Sequence, residues 1–494
     1  MPLDPRTPVL IGGGQLNQRD GELEPVEMIV SAARSAAQDA GNPDIVTRID
    51  SVRLVRMLSW KYANPGLLVG ERLGASVRHT GCTGDGGNAP QALVSGAAAD
   101  IAAGRADVVL VGGAEAWRTR MKLRAEGARP DWTVQADDTA APEMLIPHVP
   151  MVFPGHKKIG LDRPAYVYPL FEEALRSTAG RSAEAHRSVI GNLWSRFSAV
   201  AAGNPYAWSP QARTADEVIT PAPDNRMVTW PYTKLLNSNN MVEQAAAVLV
   251  CSVEAAERAG IARDRWVFIH SAADAHDTYD ITERGALDAS PAIRIAGRRA
   301  LELAGIGIDD VGIVDLYSCF PSAVQVAAAE LGLSLEDADR PLTVTGGLTF
   351  AGGPWNNYSS HAIASMVTAL RERPGVRGLL TANGGYLTKH AIAVYSTEPP
   401  AHPYRRVDVQ SDVDATPTTN ALETYEGPGT IESWTAAYGR DGAPERGFVA
   451  VRTPDGSRTL AGTTDADQLA ALLATDVSNA KVSVNSDSSF QGPS

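Results

Sequence analysis

Between Gly81 and Glu115 the chain reads Gly-Cys-Thr-Gly-Asp-Gly-Gly-Asn-Ala-Pro, then a run of small residues, then Ala106-Asp107-Val108-Val109-Leu110-Val111-Gly112-Gly113-Ala114-Glu115. A glycine-rich loop that opens onto a helix presents unpaired N–H groups, which suit an oxyanion or a thioester carbonyl. Cys82 lies in the same stretch, with His79 and Asp85 close by in sequence. A thiol beside an imidazole could act as an activated nucleophile. A small side chain filling a tight turn accounts for Cys82 equally simply, because free cysteine is commonly buried.

The elements that must position this loop are legible. A helix from Gln91 to Ala103, rich in Ala, Gly and Ser, must pack closely against other backbone, and Gly104 stops it. A short β-branched strand follows. Two regions then repeat one another. The first has a strand at Pro8–Ile11, the glycines Gly12 to Gly14 as a turn for close backbone packing, a helix at Pro25–Ala40 and a strand near Val52. The second has a helix at Ala292–Ala304, Gly305, an acidic turn at Asp309-Asp310 and a strand at Ile313–Leu316. Downstream, Val108–Val111 runs into Gly112-Gly113 much as Gly378–Thr381 runs into Asn383-Gly384-Gly385. Helices alternating with short apolar strands predict α/β layers, mostly parallel central pairing and, with two halves stacked, a five-layer αβαβα core.

Residues 118–235 break this rhythm with prolines, aromatics and charges, including Arg118, Arg120, Lys122, Arg124, Lys157 and Lys158. Helices are expected at Phe171–Thr178 and Ala183–Ala202. A long insertion of this kind usually covers a site or holds part of a ligand. After Pro399-Pro400 the composition changes again. Strands at Thr430–Ala436, Gly447–Arg452, Arg458–Ala461 and Lys481–Asn485, with a helix at Asp465–Ala474, predict a small barrel of the oligonucleotide/oligosaccharide-binding (OB) type. The expected divisions are 1–117 with 236–261 as one half, 118–235 as a loop domain, 262–398 as the second half, 401–485 as the extra domain, and 486–494 as a disordered tail.

The chain has 494 residues and a formal charge of −13, from 44 basic and 57 acidic side chains. That balance argues against nucleic acid or an anionic membrane as the main partner. Three widely spaced cysteines (Cys82, Cys251 and Cys319) form neither a disulfide framework nor a zinc site. The opening Met-Pro-Leu-Asp-Pro-Arg lacks a charged-then-apolar leader, and no apolar run is long enough to span a bilayer. The expectation is a soluble, cytoplasmic protein without a metal.

The small-residue helix, the Ala106–Glu115 strand, Asp315-Leu316-Tyr317-Ser318-Cys319-Phe320, Gly346-Gly347, Gly352-Gly353-Pro354 and Asn383-Gly384-Gly385 together resemble thiolase-superfamily landmarks. They cover roughly residues 8–398 in order. The nearest flavour is that of sterol-carrier-protein thiolases and acetyl-CoA acetyltransferases, here with an extra C-terminal domain. The resemblance implies an acyl-CoA or CoA ligand, a loop domain covering the CoA site, and a duplicated five-layer core. It also implies a homodimer or a monomer. Arg118, Arg120, Lys122 and Arg124 could hold CoA phosphates through charge-assisted hydrogen bonds, or could form a solvated helix face.

Chemistry of that kind needs a cysteine thiolate at a helix N-terminus, a second acid/base, and oxyanion donors. Counting back from Asp107 without gaps puts Gly87 at the nucleophile position. Tyr317 stands where the resemblance implies a water-holding Asn or His, Gly353 where a catalytic histidine belongs, and Thr381 at the final cysteine position. All four depart from the pattern, so ordinary thiolysis is not expected. Two other roles are open. Tyr317, joined by Tyr358 and Tyr386, could support retro-aldol or lyase chemistry on a β-hydroxyacyl-CoA, or these phenols could only fill vacated space. Alternatively the chain could be a non-catalytic assembly subunit, docking a protein partner through its C-terminal domain. His361 and His390 flank the altered loops as possible bases or as hydrogen-bonded core residues. Cys251 and Cys319 read as buried packing.

Overall fold

The computed structural model describes residues 3–21 and 23–492. The N-terminal half lays down strands Pro8–Asn17, Ser51–Leu54, His79–Thr83, Val108–Ala116 and Glu243–Ser252. The C-terminal half repeats the plan with Val267–His276, Val311–Asp315, Arg377–Gly384 and Lys389–Ser396. In each half a parallel pair adjoins two antiparallel ones: Ser51–Leu54 runs parallel to Val108–Ala116, as Val311–Asp315 does to Arg377–Gly384. The N-terminal half adds two more parallel pairs, of His79–Thr83 with Ser51–Leu54 and with the inserted strand Glu143–Ile146. The next two partners are antiparallel in both halves. The duplication is therefore a property of the fold, and its central pairing is mixed rather than mostly parallel. Hairpin-like returns replace crossovers there, because Lys389–Ser396 follows Arg377–Gly384 after a turn too short to hold a crossover helix.

The two halves sandwich a middle layer made of the helices Ala89–Ala102 and Tyr358–Glu372, each touching strands of both halves. The helix Pro25–Asp39 covers one outer face and Pro291–Ala304 the other. Together these make the five-layer core. Small residues make the middle layer possible. Leu93, Val94, Ala97, Ala98 and Ile101 are all but fully buried, and Gly104 ends the helix in the left-handed region at φ +74. The amides of Gly104 and Arg105 close onto the carbonyls of Ile101 and Asp100.

Gly12, Gly13 and Gly14 lie inside the first strand, not in a turn. A Cβ at Gly12 or Gly14 would fall 2.0 Å from the carbonyl oxygen of Ala36 or Ala32 on the outer helix. One at Gly13 would fall 2.8 Å from Ala364 of the middle layer. Successive residues of a strand face opposite ways, so these three glycines let helices approach closely on both sides.

The insertion within the N-terminal half contributes helices Trp117–Ala125, Pro164–Thr178 and Ala183–Gly203 and the short strands Met227–Thr229 and Tyr232–Thr233. The C-terminal domain is a curled sheet built on Gly427–Tyr438, Pro444–Arg452, Arg458–Thr463 and Lys481–Val484, with the helix Ala466–Ala474 against it. Its edge folds back so that Gly462 donates to the Ser488 carbonyl at 2.9 Å. The expected disordered tail is instead ordered as far as residue 492. Phe490–Gln491 pairs with the Lys481–Val484 strand, and Phe490 enters the domain's core because its ring has apolar surface to bury. The rest of that tail, residues 493–494, lies outside the described residues.

Candidate functional site

The loop Gly84–Asn88 enters the middle layer at the N-terminus of the helix Ala89–Ala102. It is tied down from three sides. Asn356 Oδ1 accepts from the Gly86 amide at 2.8 Å, Ser359 Oγ donates to the Gly87 carbonyl at 2.8 Å, and Lys389 Nζ donates to the Asp85 carbonyl. Next to it opens a cavity of about 300 Å³. Gly86, Gly87, Tyr168, Tyr317, Cys319, Phe320, Trp355 and Asn383 are among the residues that line it.

Tyr317 follows the strand Val311–Asp315 and is held by its amide, which donates to Thr381 Oγ1 at 3.0 Å. Its ring meets Tyr358 edge-on, with centroids 5.4 Å apart. A Cβ built on Gly87 would fall 2.1 Å from the Tyr317 hydroxyl and 2.5 Å from the Asn383 carbonyl oxygen. The phenol thus occupies the space of a side chain at residue 87. Burial, reinforced by Cys319 and Tyr358, pushes the phenol's pKa well above the usual value. Tyr317 is a neutral hydroxyl, able to donate a hydrogen bond and unsuited to act as a base.

Cys319 also lines the cavity, and burial pushes its thiol up to about 12. Asn383 Nδ2 donates to Tyr168 Oη at 3.0 Å and approaches Cys319 Sγ at 3.8 Å. Tyr168 in turn accepts from the Leu387 amide at 2.9 Å, donates to the Gly385 carbonyl at 3.2 Å, and stacks on Phe320 with centroids 4.4 Å apart. Behind Tyr317 runs a hydrogen-bonded line from Tyr358 Oη to Thr345 Oγ1 (2.6 Å), on to Thr343 Oγ1 (3.3 Å) and to Asp315 Oδ2 (3.1 Å). Full burial lifts the Asp315 carboxyl to about 7, partly offset by the Val344 amide and Thr343. Glu115, also lifted to about 7 by burial, accepts from the amides of Leu58 and Ser59 and so fixes the segment bearing the lining residue Leu58.

The structure brings some of the sequence candidates together and separates others. Gly87 and Tyr317 meet, and Tyr358 backs Tyr317. Tyr386 does not join them. Its hydroxyl is buried without a partner among the described residues, near Asp162 and Arg163, and Tyr386 does not line the cavity. Thr381 sits behind the Tyr317 backbone, while its neighbour Asn383 faces the cavity. Gly353 lies off the cavity wall, with its amide donating to the Asn239 carbonyl.

Cys82 belongs to the strand His79–Thr83, not to the loop, and does not line the cavity. His79 bonds Ser51 and Glu143 on either side rather than the thiol. Burial raises the Cys82 thiol's pKa. Cys251 is fully buried. His361 Nδ1 donates to Gln15 Oε1 at 2.8 Å and is driven down to about 3 by burial; His390 is held by Ser290, Asp277 and the Leu387 carbonyl. Neither histidine faces the cavity.

The basic helix Trp117–Ala125 starts at the rim, where Trp117 meets the lining residue Trp355 edge-on at 5.2 Å. Arg120 is spent on the carbonyls of Leu58 and Ser59, at 2.5 and 2.9 Å. Arg118, Lys122 and Arg124 are exposed and, among the described residues, pair with no carboxylate. No cluster of His, Cys, Asp and Glu among the described residues has the arrangement of a metal site.

Sequence reading missed Tyr168 and Trp355. Trp355 had a usable signal, since it directly follows Gly352-Gly353-Pro354. Tyr168 had none, because it lies in the insertion and reaches the cavity only through packing.

A duplicated five-layer core, with its site at the N-terminus of a buried small-residue helix, defines a thiolase type of architecture. The profile of the thiolase-like protein type 1 additional C-terminal domain matches residues 408–489. The crystal structure of a monomeric SCP2-thiolase like protein type 1 from Mycobacterium smegmatis is 35% identical. That likeness covers 99% of each chain, with a TM-score of 0.84. The chain therefore belongs to the thiolase superfamily, as a thiolase-like protein of the SCP2-thiolase family.

An acetyl-CoA acetyltransferase of Methanocaldococcus jannaschii is 25% identical over 234 residues, 47% of this chain and 52% of that one. The chain thus spans about half the length of the curated relatives it matches. The Ltp2-ChsH2(DUF35) aldolase structure shares the fold, with a TM-score of 0.61 at 19% identity over 79% of this chain and 98% of that one.

Proposed function

We propose that this protein binds CoA thioesters on a thiolase scaffold without forming an acyl-cysteine. One observation carries the reading: the Tyr317 hydroxyl stands where the side chain of residue 87 would be, so a covalent carrier is absent and its space is filled. The other thiols do not compensate. Cys319 is held protonated by burial and Cys82 lies off the cavity. Positions 353 and 381, where the family places a histidine and a cysteine, hold glycine and threonine.

In the proposed complex the acyl end enters the cavity beside Tyr317, whose hydroxyl donates to the thioester oxygen. The N-terminus of the Ala89–Ala102 helix favours negative charge on that oxygen. Arg118, Lys122 and Arg124 meet the CoA phosphates outside, and the loop domain of residues 118–235 covers them. The setting is cytoplasmic, and the chain acts as a monomer, with a homodimer as the other outcome of a solution mass measurement. Calorimetric titration with CoA and acyl-CoAs tests the reading alongside a thiolysis assay. Binding without turnover supports it; cysteine-dependent thiolysis, or no binding, overturns it.

A second reading has one favourable observation, the neutral Tyr317 phenol on the cavity wall. In a retro-aldol cleavage of a β-hydroxyacyl-CoA it would steady the enolate formed when the Cα–Cβ bond breaks. The hydroxyl proton would then need a base, yet the lining carboxylate, Asp85, is engaged by Arg56 at 3.0 Å. Turnover that survives Tyr317→Phe would remove this reading. The third role, an assembly subunit docking a protein partner through the C-terminal domain, would be supported by a partner whose binding is lost on removing residues 401–494.

A further inference from the structure

We infer that the C-terminal domain is part of the cavity's construction: it sets the position of Tyr168 by clamping the helix Pro164–Thr178 from outside. The helix carries Tyr168 to the cavity at one end. At the other it carries Arg176, which is only 3% exposed. Arg176 grips the C-terminal domain with both arms of its guanidinium. Nη1 and Nη2 donate to the two Asp476 oxygens at 2.9 and 2.6 Å, and Nη2 donates also to Ser478 Oγ at 2.8 Å. Glu173 takes Nε at 2.6 Å and keeps the guanidinium from being left unpaired. A second fixing comes midway, where Ser433 Oγ donates to the Leu170 carbonyl at 2.5 Å.

The helix has a physical reason to need such fixings. Pro169 lies inside it and brings no N–H, so the first turns, which hold Tyr168, lose a backbone bond. Bidentate charge-assisted contacts restore register that the backbone ladder cannot supply there. On the cavity side Tyr168 Oη is the meeting point of Asn383 and the Leu387 amide, next to Cys319. A helix that slips or rotates breaks that meeting point and uncovers the Cys319 thiol. Arg176 and Asp476 touch no cavity atom and are positioning residues.

The test uses the full chain and does not depend on any CoA ligand, so its failure is separate from failure of the binding proposal. Asp476 is more than half exposed at its side chain, which makes Asp476→Ala a mild change for folding. Iodoacetamide labelling is followed cysteine by cysteine by peptide mass spectrometry. In Asp476→Ala, Cys319 is expected to label about tenfold faster, the scale of one lost charge-assisted contact. The Cys82 rate stays unchanged and Cys251 stays unreactive. Asp476→Glu, which keeps the carboxylate, restores slow labelling, and Ser478→Ala gives a smaller rise in the same direction. A Cys319 rate within about twofold of the starting protein overturns the inference, since so small a change lies inside the scatter of ordinary surface substitutions. Equal acceleration at all three cysteines overturns it too, because that reports general loosening.

Discussion

The two halves of the core follow one plan, yet they meet the cavity with opposite materials. From the N-terminal half comes Gly84–Asn88, pared to backbone at Gly86 and Gly87. From the C-terminal half come Tyr317, Phe320 and Trp355, with Tyr358 behind. Gly84–Asn88 sits at the N-terminus of the middle-layer helix Ala89–Ala102 and Trp355 just before that of Tyr358–Glu372, whereas Tyr317 and Phe320 precede the helix Pro321–Leu331. Packed interiors conserve volume, so bulk removed from one wall reappears on the facing one. The difference teaches that position 87 cannot be understood as a missing side chain alone. Glycine there and tyrosine at 317 form one unit.

Breaking that unit gives the largest expected effect. Gly87→Cys forces a Cβ against the Tyr317 hydroxyl and the Asn383 carbonyl. It should destabilise the chain by about 2–3 kcal/mol, in the overpacking range. Adding Tyr317→Ala should recover a large part of that, so thermal unfolding of the two singles and the double will show strong non-additivity. Additive effects would mean that the two walls are independent.

Asp315→Asn tests the support behind the aromatic wall. Its carboxyl is raised to about 7 in the folded chain, above its unfolded value, so the folded form holds a proton that the unfolded form has released. Its contribution to stability is therefore present at low pH and lost as pH rises from the unfolded value through about 7. The asparagine variant should flatten the fall in unfolding free energy over that window. An unchanged slope between pH 4 and 8 would show that Asp315 is not the source, leaving Glu115, Glu173 and Asp274, whose carboxyls burial also raises, as the remaining candidates.

Smaller effects sharpen the functional side of the comparison. Tyr317→Phe removes one neutral donor from the cavity and should weaken a bound acyl-CoA by about 1 kcal/mol, read by calorimetry. Unchanged affinity would place the phenol in the role of filler only. Arg118→Ala or Lys122→Ala, at exposed sites outside the cavity, should each weaken binding about twofold at low salt, with the loss fading as salt rises.

Much of the fold was legible because backbone demands leave marks in composition. The small-residue helix, Gly104 as its stop, and the Ala-Gly ends of the two duplicated helices all follow from close packing and capping. Pairing direction was less legible. Lys389–Ser396 and Glu243–Ser252 are fully buried strands, and a continuous apolar run reads alike in parallel and antiparallel settings. Cys82 was misplaced because Gly81 and Gly84 on either side suggest a loop, whereas Gly81 is there so that Leu145 of the strand Glu143–Ile146 can lie against it.

Residue types alone determined that position 87 holds no nucleophile, that a phenol follows Asp315-Leu316, and that the chain is duplicated around a buried helix. Those are statements about which groups exist, and chemistry cannot use a group that is not there. Only the tertiary structure decided that the Tyr317 hydroxyl enters the space of residue 87, that Tyr386 stays away, and that Tyr168 arrives from the insertion. Each of those depends on distances between segments far apart in the chain, which packing sets and local sequence does not encode.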